Sequence, residues 1–372
     1  MSLLYEASRT SLVAAKTAVG LTKRVNMPHI VQQGGTWGPL LCSSTIDTIG
    51  KKCKERDQHF YLYKNTTKIF PLAFIDDLSG IAECGSKSKS LNIFLNSQIE
   101  MKKLRFHTTV KNNKSKCVKM HIGKADGNCP TLKVHGTILH EVTEELYLGD
   151  VISSDGKNTK NIKTRISKGI GIISQILNIL SSTSFGSHYF KIALLLRESL
   201  LVSGVTTNAE VWHNFSESEM TELESLDKLF FRRLLGVPKS TPTESFYLEL
   251  GAIPMGIMIK ARRVNYLHSI LSRDPGSMLY KFFVAQCNSP CKGDWSEMVK
   301  QDLEDFDIPT SFDFIKSKSK GAFKRLVKQK ARAYALKKLK SIQQKHSKMK
   351  KLQYEDIQVQ TYFTRFDINT EQ

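Results

Sequence analysis

The chain has 372 residues, 40% of them hydrophobic, which excludes a disordered polymer and leaves room for two or three domains. Lys and Arg outnumber Asp and Glu by 55 to 35, a net charge of +20 that points to polyanionic partners, nucleic acid first among them. No apolar run approaches the roughly 20 residues a membrane span needs, and Met1–Gly20 carries Glu6, Arg9 and Lys16 in place of a compact signal-peptide core. The seven cysteines are scattered and odd in number, as expected of a reducing compartment rather than a disulfide framework. Cys287 and Cys291 form the one close pair, with no second Cys/His pair at zinc-finger spacing. The expected location is nuclear or cytoplasmic, neither secreted nor in a membrane.

Taken in chain order, residues 3–19 read as a helix with Leu4, Ser8, Leu12 and Ala15 down one side. A loop of turn-formers follows, Gln32 to Pro39, and Leu40 to Ile49 resumes a helical pattern with Pro39 near its start. Ile69 to Phe74 and Leu78 to Cys84 flank Asp76 and Asp77, and predict a β-hairpin with the two acids at its tip. Pro71 cannot donate a ladder bond, so its strand is expected at an edge or a bulge. Ser86 to Ser90 reads as a polar joint and Leu91 to Leu104 as an amphipathic helix. Strands are expected over Lys114–Ile122 and Thr131–Leu139, and a turn at Ser153-Ser154-Asp155-Gly156.

Beyond that turn the pattern is helical. Ile162, Ile166, Ile170, Ile173, Leu177 and Leu180 form one face of a long helix, with Lys160, Lys163, Arg165 and Lys168 off that stripe as a basic opposite side. A helix around Lys191–Val202 comes next. Ser216-x-x-Glu219 is a capping box opening another, stopped by Gly236 and Pro238. Thr241-Pro242-Thr243-Glu244 signals a short helix with Pro at its first position, closed by Gly251, and Pro254–Arg273 predicts one more. Between Asp313 and Glu355 there is no acid but fifteen Lys and Arg, a basic helical segment with Phe323 and Tyr334 available for base stacking. Nuclear targeting or a solvated surface are the competing readings of that segment.

The acid pair carries the sharpest chemical signal. Burying unpaired charge is costly, so two adjacent carboxylates inside the apolar run Pro71-Leu72-Ala73-Phe74-Ile75-Asp76-Asp77-Leu78 imply a cation. A hairpin tip exposes both acids on a rigid stem. Phosphoryl transfer by polymerases uses two divalent ions about 3.5–4 Å apart, and magnesium accepts one or two carboxylates together with phosphate oxygens and water. Gly34 and Gly35 permit positive φ and close approach of backbone to a ligand, or belong to an ordinary loop. Lys114 suits phosphate contact or protonation of leaving pyrophosphate, with Lys116 a rival and a solvated strand lysine the alternative. Lys160, Lys163 and Lys168 suit a nucleic-acid backbone. Tyr147 fits either a primer contact or a packed hairpin.

These segments, in this order and spacing, resemble the reverse transcriptase of non-LTR, LINE-like retrotransposons. Phe74-Ile75-Asp76-Asp77 is similar to that family's aromatic-x-Asp-Asp box, motif C. Gln33-Gly34-Gly35-Thr36-Trp37-Gly38-Pro39-Leu40 is similar to motif B, Asn113-Lys114-Ser115-Lys116 to motif D, and Tyr147-Leu148-Gly149 to motif E, the primer grip. Trp212, Leu235-Gly236-Val237-Pro238 and Glu249-Leu250-Gly251 resemble the helical thumb and the region beyond it. The likeness runs from about residue 3 to about residue 275.

The resemblance implies an α+β fold: a partial right-hand polymerase palm over 1–146, a thumb-like helical domain over 147–250, a helical region over 251–313 and a basic helical tail over 314–372. It implies RNA-directed DNA polymerase activity on an RNA template and DNA primer with dNTPs. Mg²⁺ would be held by Asp76 and Asp77, with Gln33, Gly34, Gly35 and Phe74 near nucleotide and template, Lys114 near the phosphates, and Tyr147, Leu148 and Gly149 at the primer. In the family a third aspartate, upstream of motif B, bridges both ions. Glu6 is the one acid before Asp47, so the expectation is a C-terminal portion, catalytically impaired, or a nucleic-acid-binding remnant. A partner chain supplying the missing half of the palm would complete the site.

Overall fold

The computed structural model describes residues 12–13, 16–17, 20–21, 23, 25–26, 38–62, 67–75, 77–102, 104, 106, 116–123, 130–345, 354–360 and 363. The chain is α+β. Helices carry most of it, and every sheet among the described residues is two-stranded. It divides into two compact units: Met1–Lys119 with Asp126–His140, and Met120–Ala125 with Glu141–Gln372. No helix among the described residues is long and apolar enough to cross a membrane.

In the first unit, the described residues of the helix expected over 3–19 are strand; residues 3–11, 14–15 and 18–19 of it lie outside the described residues. Leu12–Val13 (β1) pairs with Val25–Asn26 (β4), and Lys16–Thr17 (β2) with Gly20–Leu21 (β3), both antiparallel. Val13 and Thr17 lose side-chain freedom in a helix and favour extended backbone, and a stripe containing Ser8 and Ala15 is too weakly apolar to override them. Helix α1 (Gly38–Glu55) starts beside Pro39 and runs past the expected Ile49. Ile49 and Cys53, one turn apart, are buried with Ile99 of α2 (Gly85–Met101), and Phe70, Phe94 and Leu95 pack around them. Ser86–Ser90, expected as a joint, forms the start of α2, and Ser88 N–H donates to Cys84 O at 2.9 Å.

Between α1 and α2 lie two hairpins. Phe60–Leu62 (β5) pairs with Thr67–Ile69 (β6), and Leu72–Phe74 (β7) with Asp77–Ser79 (β8). Pro71 sits between β6 and β7, where its missing N–H breaks no ladder. After Val118–Lys119 (β9), the single strand expected over 131–139 is instead a hairpin of Lys133–Val134 (β10) and Thr137–Ile138 (β11). Its turn, His135 and Gly136, has both φ angles positive, at 48° and 76°. Two amides of α2 hold this hairpin's edge: Asn92 Oδ1 accepts from Lys133 N–H at 3.0 Å, and Asn96 Nδ2 donates to Lys133 O at 2.5 Å. β12 (His140–Glu141) follows.

The second unit opens with the hairpin Glu144–Tyr147 (β13) and Asp150–Ser153 (β14) and is then helical. Helix α3 (Thr159–Ser182) packs on α5 (Glu217–Leu235) through Ile162, Ile173, Ile176, Leu223, Leu226 and Phe230. Helix α4 (Tyr189–Leu196) continues through a π-helical stretch, Arg197–Val202, into Ser203–Val205. The wide turn carries Arg197 into the interior, where it is fully buried against Asp227. α6 (Thr243–Leu250) has Pro242 at its N-cap, one place earlier than expected, and closes at Gly251. α7 (Met255–Leu271) is the hub of the unit, flanked by α5, α9 (Trp295–Asp305) and α11 (Lys320–Gln343). α8 (Met278–Asn288) and α10 (Phe312–Lys316) complete the layer around it.

The capping box at the start of α5 forms as the sequence predicts. Ser216 Oγ accepts from Glu219 N–H at 3.2 Å, and Ser216 N–H donates to Glu219 Oε2 at 3.0 Å. Ser216→Ala is expected to cost about 1 kcal/mol, read as a lower urea midpoint with an unchanged slope.

The segment 354–360 is a strap over the end of α6. Val359 makes an antiparallel bridge with Leu250, and Gln360 N–H donates to Glu249 O at 3.0 Å. Tyr354 and Ile357 are buried, the Tyr354 hydroxyl bonds the Glu249 carboxylate, and Arg332 of α11 reaches Asp356 at 3.1 Å and the Ile357 carbonyl. Gly251 is required here twice over. Its φ is +69°, and a Cβ would fall 2.6 Å from the Gln358 carbonyl carbon.

Candidate functional site

The acid-bearing hairpin is a tight one. Leu72 faces Ser79, Ala73 faces Leu78 and Phe74 faces Asp77, with Ile75 in the turn. Ile75 holds φ at +57°, which for a β-branched side chain is a strained, left-handed conformation found at functional turns more than elsewhere. Asp77 opens β8 with its side chain exposed, and Phe74 is 55% exposed beside it. A carboxylate and an aromatic face are therefore presented together on one two-residue hairpin. Asp76, Lys114, Gln33, Gly34 and Gly35 lie outside the described residues. Lys116 is described and exposed.

Among the described residues, no group of three or more His, Cys, Asp or Glu is close enough to hold a metal ion. Asp77 offers one exposed carboxylate, which suits a hard cation that takes the rest of its oxygens from water and phosphate. Cys287 is half-buried, and burial pushes its thiol up from the ordinary value, the opposite of what a metal-bound thiolate needs.

In the second unit the turn Leu148-Gly149 joins β13 to β14, with φ of 48° and 88°. Such a two-residue turn needs positive φ at both positions, and Gly149 supplies one at no steric cost. Tyr147 is half-buried at the end of β13, opposite Asp150, while Leu148 and Leu146 stay exposed at 42% and 63%. The hairpin is anchored through Asp150, which sequence patterning did not single out. Its Oδ1 accepts from Arg165 Nη2 at 2.8 Å, Asn161 Nδ2 at 2.8 Å and Trp212 Nε1 at 3.2 Å, and its Oδ2 from Asn208 Nδ2 at 2.8 Å. Arg165 Nη2 also donates to Gly149 O at 2.6 Å, and Asn208 Nδ2 to Leu148 O at 3.1 Å. Burial alone would raise the Asp150 carboxyl, but hydrogen bonds from Arg165, Asn208 and Asn161 and the Arg165 charge outweigh it and hold it below the usual range.

This corrects the basic side of α3. Arg165 is 4% exposed and belongs to the Asp150 cluster, one turn beyond buried Asn161 and Ile162. Lys160, Lys163 and Lys168 are exposed, and Lys160 pairs with Glu144 of β13 at 3.2 Å. The hairpin turn and the start of α3 thus form one preorganised surface bearing an apolar tip and the exposed Lys163 and Lys168. Ile170, expected in the buried stripe, is 44% exposed, and Ile176 takes its place in the core. Phe323 is also not available for stacking on bases. It is 1% exposed and stacked on His268 with ring centroids 4.9 Å apart.

The signals for this cluster were present but faint: an acid directly after a Gly turn, and Arg165 three residues beyond Ile162 on the helical period. Asn208, at φ +60°, gave no signal that patterning reads. In comparisons with known proteins, the chain matches no family model and no curated sequence.

Proposed function

We propose that this chain is a reverse-transcriptase-type polypeptide, an RNA-directed DNA polymerase chain that grips an RNA–DNA duplex. The first unit supplies the acid-tipped hairpin of a palm, and the second a primer-grip hairpin and a helical thumb. The observation that carries the reading is the hairpin β7–β8, which turns tightly at strained Ile75 and sets exposed Phe74 opposite the exposed Asp77. The resemblance of the four sequence motifs, the tight hairpin at Tyr147–Asp150 and the exposed lysines of α3 support it.

On this reading Asp76 and Asp77 would hold Mg²⁺, and the ion would supply charge neutralisation for phosphoryl transfer. Phe74 packs beside the incoming nucleotide near Gln33, Gly34 and Gly35, and Lys114 steadies the phosphates. Tyr147, Leu148 and Gly149 seat the primer end, and Lys160, Lys163 and Lys168 follow its backbone. A nucleic-acid-binding role without turnover is the second reading, favoured by the net charge of +20 and the exposed Lys163 and Lys168 of α3.

Two measurements test the proposal. Mn²⁺ binding to the chain in the presence of a primer–template hybrid and dNTP should be lost in Asp77→Asn and Asp76→Asn. Unchanged Mn²⁺ binding in both variants overturns the two-acid assignment. Any primer extension on an RNA template should fall to background in Asp76→Asn, a loss of several orders of magnitude where residues act as a unit. Extension that survives excludes these acids from the chemistry.

A further inference from the structure

We infer that the outward face of α11 is a second nucleic-acid track, separate from the lysines of α3, that holds the phosphodiester backbone of a duplex without reading its sequence. The inference rests on the nucleic-acid part of the reading above, not on its catalytic part.

The helix sorts its cations into two sets. Lys330 and Arg332, on its flanks, are neutralised by Asp307 at 2.6 Å and Asp356 at 3.1 Å. Lys320, Lys324, Arg325 and Lys328 are exposed, and among the described residues none of the four pairs with an acid. The other exposed positions of the helix are Gly321, Gln329, Ala333, Lys337, Lys338 and Ser341, so the outward side carries no negative charge at all. Lys320, Lys324 and Lys328 follow one another at four-residue steps, a rise of about 6 Å per step. That is a little under two nucleotides of strand at about 3.4 Å each, so successive lysines can meet phosphates along one strand.

The row is also held rigidly. Phe323, Val327, Ala331, Ala335 and Leu339 are buried, and the helix lies on α7. A basic helix that settles on lipid does so by sinking its apolar face into the acyl boundary. Here that face is already covered by protein, which leaves a fixed row of cations suited to a polyphosphate backbone.

The test is the salt dependence of binding, by fluorescence anisotropy of a labelled RNA–DNA duplex with the full chain between about 50 and 200 mM salt. The quadruple variant Lys320→Gln, Lys324→Gln, Arg325→Gln, Lys328→Gln should lower the slope of log K against log salt by about 3 to 4, at about 0.9 per phosphate contact. The double variant Lys324→Gln, Lys328→Gln should lower it by about 2, and serves if the quadruple variant melts early. Lys330→Gln should leave the slope unchanged. An unchanged slope in the double variant overturns the inference while leaving the nucleic-acid reading standing. No duplex binding by the wild-type chain overturns both. Phosphatidylserine vesicles provide the second arm: loss of vesicle binding with duplex binding intact would assign the row to a lipid surface instead.

Discussion

Replacing Asp227 with Ala is expected to lower the stability of the helical unit by about 3–5 kcal/mol, the cost of leaving a buried cation without its partner. Arg197 and Asp227 are both 0% exposed and meet through two parallel bonds, Nε to Oδ1 at 2.8 Å and Nη2 to Oδ2 at 2.6 Å. Arg197 Nη2 also donates to Ile253 O at 2.9 Å, while Tyr247 Oη and Met255 N–H each donate to Asp227 Oδ2 at 3.3 Å. One carboxylate therefore ties the π-helical stretch to α5, α6 and the start of α7. Burial opposes charge on Arg197, but the Asp227 charge and hydrogen bond raise the guanidinium above its ordinary value, and burial together with Asp227 raises the Tyr247 hydroxyl well above its own. Both groups stay protonated to donate. Equilibrium urea unfolding checks the loss. The double variant Arg197→Met, Asp227→Leu should recover most of it, because an apolar pair of similar volume carries no desolvation cost. A double variant no more stable than Asp227→Ala would show that the bond geometry, not the stranded charge, is what matters.

The second large effect is expected at Asp150. Asp150→Ala strands Arg165, which is 4% exposed, and removes the acceptor for Asn161, Asn208 and Trp212. With Asp150 only partly buried, the loss should be about 2–3 kcal/mol. Hydrogen exchange should rise first in the hairpin β13–β14, whose turn is held by Arg165 and Asn208, both of them oriented by this carboxylate. The pH dependence follows from the same contacts. The folded carboxyl titrates below its ordinary value, so its contribution is fully present above the unfolded value of about 4 and disappears as pH falls through the folded value. Wild type and Asp150→Ala should therefore converge in stability in strong acid, separate as pH rises from the folded value towards about 4, and keep a constant gap above it. A gap independent of pH would assign the effect to packing.

How much of this was legible in the sequence depends on whether the signal was local. The capping box at Ser216, the stop at Gly236 and the turn at Gly156 rest on residues a few places apart, and each formed as read; a hairpin also formed around the acid pair, with Asp77 opening its second strand. The helix expected over 3–19 failed at its described residues, 12–13 and 16–17, because a loose helical spacing was weighed above β-branched content. The strand expected over 131–139 failed because His135 adopts positive φ beside Gly136, a pairing that carries less warning than Asn-Gly. Arg165 failed for another reason. Spacing tells which residues share a face, yet whether a cation on the margin of a stripe points to water depends on an acid waiting across the core. Asp150 and Asp227 are such acids, and their partners are 15 and 30 residues away.

The strap over α6 has a consequence for biosynthesis. Leu250 is fully buried, and the segment bridged to it is centred on Val359, 359 − 250 = 109 residues later. At about 5–20 residues per second, ribosomes need roughly 5–20 s to deliver that segment after α6 has been made. Through that interval the nascent helical unit carries an uncovered apolar edge, and Gly251 must keep its notch open for a strand that does not yet exist. Chaperone dependence during translation should accordingly concentrate on α6, and a slow stretch of codons between residues 251 and 353 should lower the soluble yield more than one placed after 360.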